Sequence, residues 1–179
     1  LTHTAGLGYS IVSKGPLRDA FNENGIVGGR VSRNTLPGFP DVTPAPGLEV
    51  WADRLATLPL MYQPATKWSY SCSIDLLGRI VEIASGMEFE TFLKTTFFEP
   101  LGMTSTFMTV PESEKGRLTD NYGIVPGLPP LPIDPGANSV YLDPPKVPSG
   151  GGGLVSSPKD YDRFLRMLLG YGKLGDTRV

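Results

Sequence analysis

Tyr70, Ser71 and Ser73 stand together at the start of an apolar stretch, Trp68-Ser69-Tyr70-Ser71-Cys72-Ser73-Ile74-Asp75-Leu76-Leu77-Gly78. Hydroxyl groups in this setting could move protons. Ile74, Leu77, Val81 and Ala84 recur at helical spacing and Gly86 supplies a stop, which predicts a helix over 71–85. Ser71 or Ser73 can cap it by accepting the first free backbone N–H groups. Tyr70 then lies at the positive end of a helix dipole, where a tyrosinate is favoured over a neutral phenol. A phenol ordinarily titrates at about pH 10, so a tyrosine acting as a base at neutral pH needs such help and nearby cations. On local grounds alone, a tyrosine before a helix more often packs than reacts.

Other residues capable of chemistry are few. His3 is the sole histidine, so a Ser-His-Asp triad would have to use it, and no G-x-S-x-G elbow supplies a nucleophile. Ser156-Ser157-Pro158-Lys159 is a formal S-x-x-K. Proline favours the first helical position, Ser157 is a natural cap, and Asp160 would complete a capping-box-like arrangement. Lys159 then sits on an exposed first turn, whereas a lysine base needs a buried or crowded site to lose its proton. This motif is read as a helix start. The glycines 150–153 precede that helix as anion-binding loops do, yet no G-K-[ST] follows them. Asp75, one turn into its helix, is suited to bracing a loop. Cys72 is the only cysteine, which excludes an internal disulfide and cysteine-rich zinc sites and favours a cytoplasmic setting. With no base paired to it, its thiol is read as inert.

The elements that must position these residues are mainly helical. Trp51, Leu55 and Leu58 share a face over 48–58. Phe89, Phe92, Leu93 and Phe97 do so over 87–98, with Pro100 just beyond. Residues 105–110 are β-branched and aromatic and predict one short strand. Pro158–Leu169 predicts a last helix with Phe164, Leu165, Leu168 and Leu169 inward and Gly170 at its end. Glycine (22) and proline (18) gather at 37–47 and 126–153, interleaved with apolar residues, as in ordered loops that wall a binding site. The chain of 179 residues is long enough for one medium domain with a core. Its net charge of −2 argues against nucleic acid or an anionic membrane as partner, and no run is apolar enough to cross a bilayer.

Four segments carry a resemblance when taken in order. Leu1-Thr2-His3-Thr4-Ala5-Gly6-Leu7 looks like an "LTHTSGL" turn, and Tyr70-Ser71-Cys72 with Leu77-Gly78 is similar to a Y-S-x tyrosine motif. Phe98-Glu99-Pro100-Leu101-Gly102-Met103 matches an "i-x-x-P-L-G-M" segment. Ser149-Gly150-Gly151-Gly152-Gly153-Leu154-Val155-Ser156-Ser157, then Asp160, looks like "GGGGLVST-x-x-D". Each is weak alone. Their order and spacing resemble the serine β-lactamases and penicillin-binding proteins, and within that group most of all the family VIII carboxylesterases.

That resemblance implies an α+β, β-lactamase/transpeptidase-like fold. Residues 1–179 would be an internal part of a single catalytic domain, mainly its helical portion with little strand. An S-x-x-K serine and lysine upstream, and a K-T-G-like strand motif downstream, would complete the site. The implied reaction is cleavage of a short-chain carboxylic ester, a small-molecule substrate, through an acyl-enzyme, with Tyr70 as general base and no metal or organic cofactor. β-Lactamase, D-amino-acid peptidase and acyltransferase activities share this scaffold, a non-catalytic binding module or an inactive fragment is the reading from another class, and residues 1–179 alone are expected to be inactive. Cys72 occupies the place where β-lactamases carry an asparagine that can bond a β-lactam side-chain amide. A thiol does so only weakly, which favours esters. Gly151 and Gly152 would pass the acyl pocket, near the position of a bulky aromatic in class C β-lactamases. Glycine there either opens the pocket wall or merely permits unusual backbone angles. Trp68 could line the pocket beside Tyr70 or simply pack, and His3 would shape a turn.

Overall fold

The computed structural model of this chain describes residues 1–29, 32–33, 41–124 and 126–179, so part of the first proline–glycine cluster lies outside them. α1 (Pro16–Glu23) begins with proline in its first turn and buries Phe21. α2 (Leu48–Ala56) buries Leu48, Trp51 and Leu55 and ends slightly earlier than its periodicity suggests. There the Thr57 hydroxyl donates to the Arg54 carbonyl at 2.8 Å. α3 (Ser73–Ser85) stops at Gly86, whose φ of 69° is left-handed and whose N–H bonds the Glu82 carbonyl.

α4 (Phe89–Leu93) continues through a π turn (Lys94–Phe98) into α5 (Glu99–Leu101). The periodicity predicts a helix that ends before Pro100, whereas the structure carries Pro100 inside it. Proline lacks an N–H and crowds the carbonyl four residues back, and the wider turn ahead of it accommodates both defects. Glu99 N–H accordingly bonds the Lys94 carbonyl, five residues earlier.

Strand is scarce among the described residues. β1 (Asn121–Gly123) pairs antiparallel with β2 (Leu131–Asp134), and β3 (Lys173–Leu174) with β4 (Thr177–Arg178). The strand expected over 105–110 is a single antiparallel bridge between Phe107 and Val155. Its backbone groups go to separate places, with Ser105 N–H on the Asp160 carboxylate, Phe107 on Val155 and Val110 on the Tyr141 carbonyl. No ladder can extend from bonds so divided.

α6 (Pro158–Leu169) matches its predicted bounds, and Ser157 caps it by accepting the Asp160 N–H at 3.2 Å. Its phase differs from expectation. Leu165, Leu168 and Leu169 are exposed, while Asp160 and Met167 are buried and Arg163 and Phe164 lie half-buried between them. The capping box is also incomplete, because the Asp160 carboxylate accepts from Ser105 N–H at 2.6 Å and Thr106 Oγ1 at 3.0 Å instead. These bonds turn the helix so that a carboxylate, not the leucines, faces in. α3 is rotated likewise: Ser73, Asp75 and Gly78 are its buried residues, Ile74, Leu77 and Val81 are intermediate, and Ala84 is exposed. A Cβ at Gly78 would meet Phe89 at 3.5 Å and Leu48 at 3.7 Å, ordinary contact distances, so the buried glycine lies where α3 packs against α2 and α4.

The main core joins Tyr9, Phe21, Ile26, Ala45, Trp51, Leu55 and Cys72, which ties the first nine residues, α1 and α2 to the start of α3. Phe98, Leu101, Met103 and Met167 form a second cluster between α5 and α6.

Ser157→Ala should lower stability by about 1 kcal/mol, the usual worth of such a cap, whereas Lys159→Ala on the exposed surface should change it by less than about 0.5 kcal/mol. Urea unfolding of the two variants checks this. Equal losses would contradict the helix-start reading of Ser156-Ser157-Pro158-Lys159.

Candidate active site

Residues 1–9 lie along residues 61–72, and backbone bonds fix the alignment. Met61 N–H reaches the Gly6 carbonyl at 2.8 Å, Ala65 the Thr4 carbonyl at 2.8 Å, Ser69 the His3 carbonyl at 2.9 Å and Cys72 the Gly8 carbonyl at 3.1 Å. Gly6 permits the approach. Its φ is +79°, and a Cβ there would lie 2.0 Å from the Tyr62 carbonyl oxygen.

Tyr70 emerges from this seam directly ahead of α3. Its ring packs on the His3 imidazole, with centroids 4.9 Å apart, and on Tyr9 at 5.6 Å. Trp68 meets the imidazole edge-on at 6.1 Å. Tyr70 is 42% exposed and Trp68 63%. The serines do not cap α3 as the sequence suggested. Cys72 occupies the cap position, with no side-chain capping bond. Ser71 and Ser73 instead bond each other at 2.6 Å, and Ser71 Oγ also lies 3.2 Å from His3 Nδ1. With these partners, neither hydroxyl bonds the free N–H groups of the helix.

Cys72 is wholly buried beneath Tyr70's segment. Burial pushes its thiol up to about 12, with the Asp75 charge adding to the effect. Burial, then Asp75, also lifts the Tyr9 phenol well above its ordinary value, against a backbone hydrogen bond from Gly29. Both groups stay protonated across the physiological range. Sequence reasoning missed Tyr9, because nothing local to it signals a contact with a residue so distant in the chain.

Asp75 is buried in the first turn of α3, and its Oδ1 accepts from Ser149 Oγ at 2.5 Å and Gly151 N–H at 3.2 Å. The glycine loop is thereby pinned to the helix that follows Tyr70. A Cβ on Gly150 would lie 2.4 Å from the Ile74 carbonyl oxygen, and one on Gly153 2.8 Å from that of Ser149, so close approach explains these two glycines. None of the glycines 150–153 has a left-handed φ. Gly151 and Gly152 are exposed, and a Cβ on Gly152 would meet open space. A cleft of about 1180 Å³ opens beside this junction, with Gly28, Gly29, Trp51, Asp75, Val147 and Ser149 in its lining, which does not include Tyr70.

Tyr70 and Trp68 thus both pack on His3, Gly151 and Gly152 lie on a loop tied to α3, and Cys72 is buried in the main core. An exposed phenol on a rigid seam can exchange a proton with a neighbouring hydroxyl. Among the described residues, no three histidine, cysteine or acidic side chains converge where a metal ion could be held. Nor is any helix among them long and apolar enough to cross a membrane.

The family model described as Beta-lactamase matches residues 1–179. Protein Rv1367c of Mycobacterium tuberculosis is 32% identical over 188 residues, covering 100% of this chain and 40% of that protein. Esterase EstB of Burkholderia gladioli is 29% identical, covering 94% of this chain and 43% of the esterase. The chain therefore spans less than half the length of these relatives. Among solved structures, EstCE1, a hydrolase with promiscuous acyltransferase activity, superposes with a TM-score of 0.73 at 25% identity, over 99% of this chain and 46% of that one.

The buried, protonated Cys72 thiol should resist iodoacetamide at pH 8 in the folded protein for as long as the urea-unfolded chain takes to react completely. Intact-mass measurement of both samples checks this; equally fast labelling would contradict the burial of Cys72.

Proposed function

Since the chain belongs to the Beta-lactamase family, we propose that it is part of a serine hydrolase that cleaves short-chain carboxylic esters through an acyl-enzyme, with Tyr70 as general base. The observation that carries this reading is Tyr70 itself, partly exposed yet held between His3 and Tyr9 directly ahead of α3. A serine of the S-x-x-K type, supplied by the rest of the protein, attacks the ester carbonyl. Tyr70 takes the serine proton and passes it to the departing alcohol. The serine–acyl bond is then broken by water, with the proton moving back along the same route.

Cys72 favours esters over β-lactams. At its position it presents a buried thiol, with no amide available to bond a β-lactam side chain. Gly151 and Gly152, bare of side chains on an exposed loop, leave room for the acyl group, and Trp68 flanks the phenol. This chemistry calls on no metal or organic cofactor. A second reading, acyl transfer, uses the same intermediate but delivers the acyl group to an alcohol. It is favoured by the likeness to EstCE1, whose description names both activities.

Tyr70→Phe in the full-length protein should lower kcat for p-nitrophenyl butyrate about 10²- to 10⁴-fold, the range expected for losing a proton-transfer group, with little change in unfolding temperature. Unchanged turnover would remove Tyr70 from the mechanism. The ratio of acid to new ester formed when a primary alcohol is added separates hydrolysis from acyl transfer.

A further inference from the structure

We propose that His3 is a positioning residue for Tyr70, acting through the lone pair on Nδ1; this rests on the reading of Tyr70 as the base. Residues 69–71 belong to no helix or strand, so their place is set by where their backbone groups bond. The N–H groups on either side of Tyr70 both end on His3. Ser69 N–H meets its carbonyl oxygen at 2.9 Å, and Ser71 N–H meets Nδ1 at 3.2 Å. One residue therefore fixes the backbone before and after the phenol, and its ring lies 4.9 Å from the phenol ring.

The donor chemistry sets the tautomer. A backbone amide can only donate, so Nδ1 carries its lone pair toward Ser71 and the imidazole proton sits on Nε2. The His3 backbone adds a second constraint. Its φ of 55° is left-handed, a conformation that few side-chain-bearing residues adopt and that asparagine tolerates best. Asparagine also offers an amide oxygen at about the place of Nδ1, whereas phenylalanine keeps a ring and loses the acceptor. The two substitutions separate acceptor from ring.

In the full-length protein, His3→Phe and His3→Ala should lower kcat roughly 10²-fold, the scale of a small misplacement of a catalytic group, with KM within about twofold. His3→Asn should recover most of that loss. In a Tyr70→Phe background, His3→Phe should cost nothing further, because it acts through Tyr70. Rates are normalised to the folded fraction measured by circular dichroism. The ¹⁵N resonances of His3, identified by their loss in His3→Asn, should show Nδ1 unprotonated and Nε2 protonated. Full turnover per folded molecule in His3→Phe, no rescue by asparagine, or a protonated Nδ1 would overturn the proposal. Unchanged turnover in Tyr70→Phe alone would overturn the underlying reading, and the ¹⁵N signature would still test the bond to Ser71.

Discussion

Asp75 places a carboxylate inside the protein, and the site is arranged around keeping it bonded. Burying an unpaired charge costs several kcal/mol, so its oxygens must find donors. Ser149 and Gly151 both donate to Oδ1, and the first turn of α3 adds the favourable end of the helix dipole. One set of bonds thereby joins the helix behind Tyr70 to the glycine loop far along the chain. The same charge acts on the core beneath. It helps raise Tyr9 and Cys72, so the layer under the phenol stays protonated.

A second seam meets the first at Tyr70. The opening residues lie against 61–72 through backbone bonds in which N–H groups of 61–72 donate to carbonyls of residues 3–8, and the glycine at position 6 lets the two segments approach within contact distance. His3 closes that seam with a side chain used as if it were backbone, accepting a main-chain N–H. Tyr70 stands at the junction, with its backbone fixed and its ring packed while part of it remains open to solvent. A proton-transfer group needs both properties, since it must be reached and must not wander.

What the sequence could disclose follows from which forces are local. Ser157 before Pro158, with Gly170 after the last turn, places α6 within its observed bounds, because caps and stops act on their own neighbours. Gly86 ends α3 for the same reason. The inward faces of these two helices were legible only in part. Asp75 was read as bracing a loop and does so, and Phe164 packs inward as expected, but hydrophobic periodicity counts leucines, whereas Asp160 faces inward because partners distant in sequence bond its carboxylate. The π turn before Pro100 and the single bridge at Phe107 likewise depend on surroundings that local propensity does not contain. Tyr70 was singled out through motif likeness and helix position. Its contacts with Tyr9 and His3 are tertiary and left no local mark. The serines 71 and 73 have the residue types of caps, but their hydroxyls bond each other and, for Ser71, the distant His3 ring.

The most direct test of the account is to trap the acyl-enzyme. The full-length protein would be mixed with an activated short-chain ester, quenched in acid, and examined by intact mass and peptide mapping. The account predicts a single acyl group on a serine outside these 179 residues, within an S-x-x-K, and its slower appearance when Tyr70 is phenylalanine. An acyl group on Ser156, or no covalent adduct while the ester is being cleaved, would contradict it.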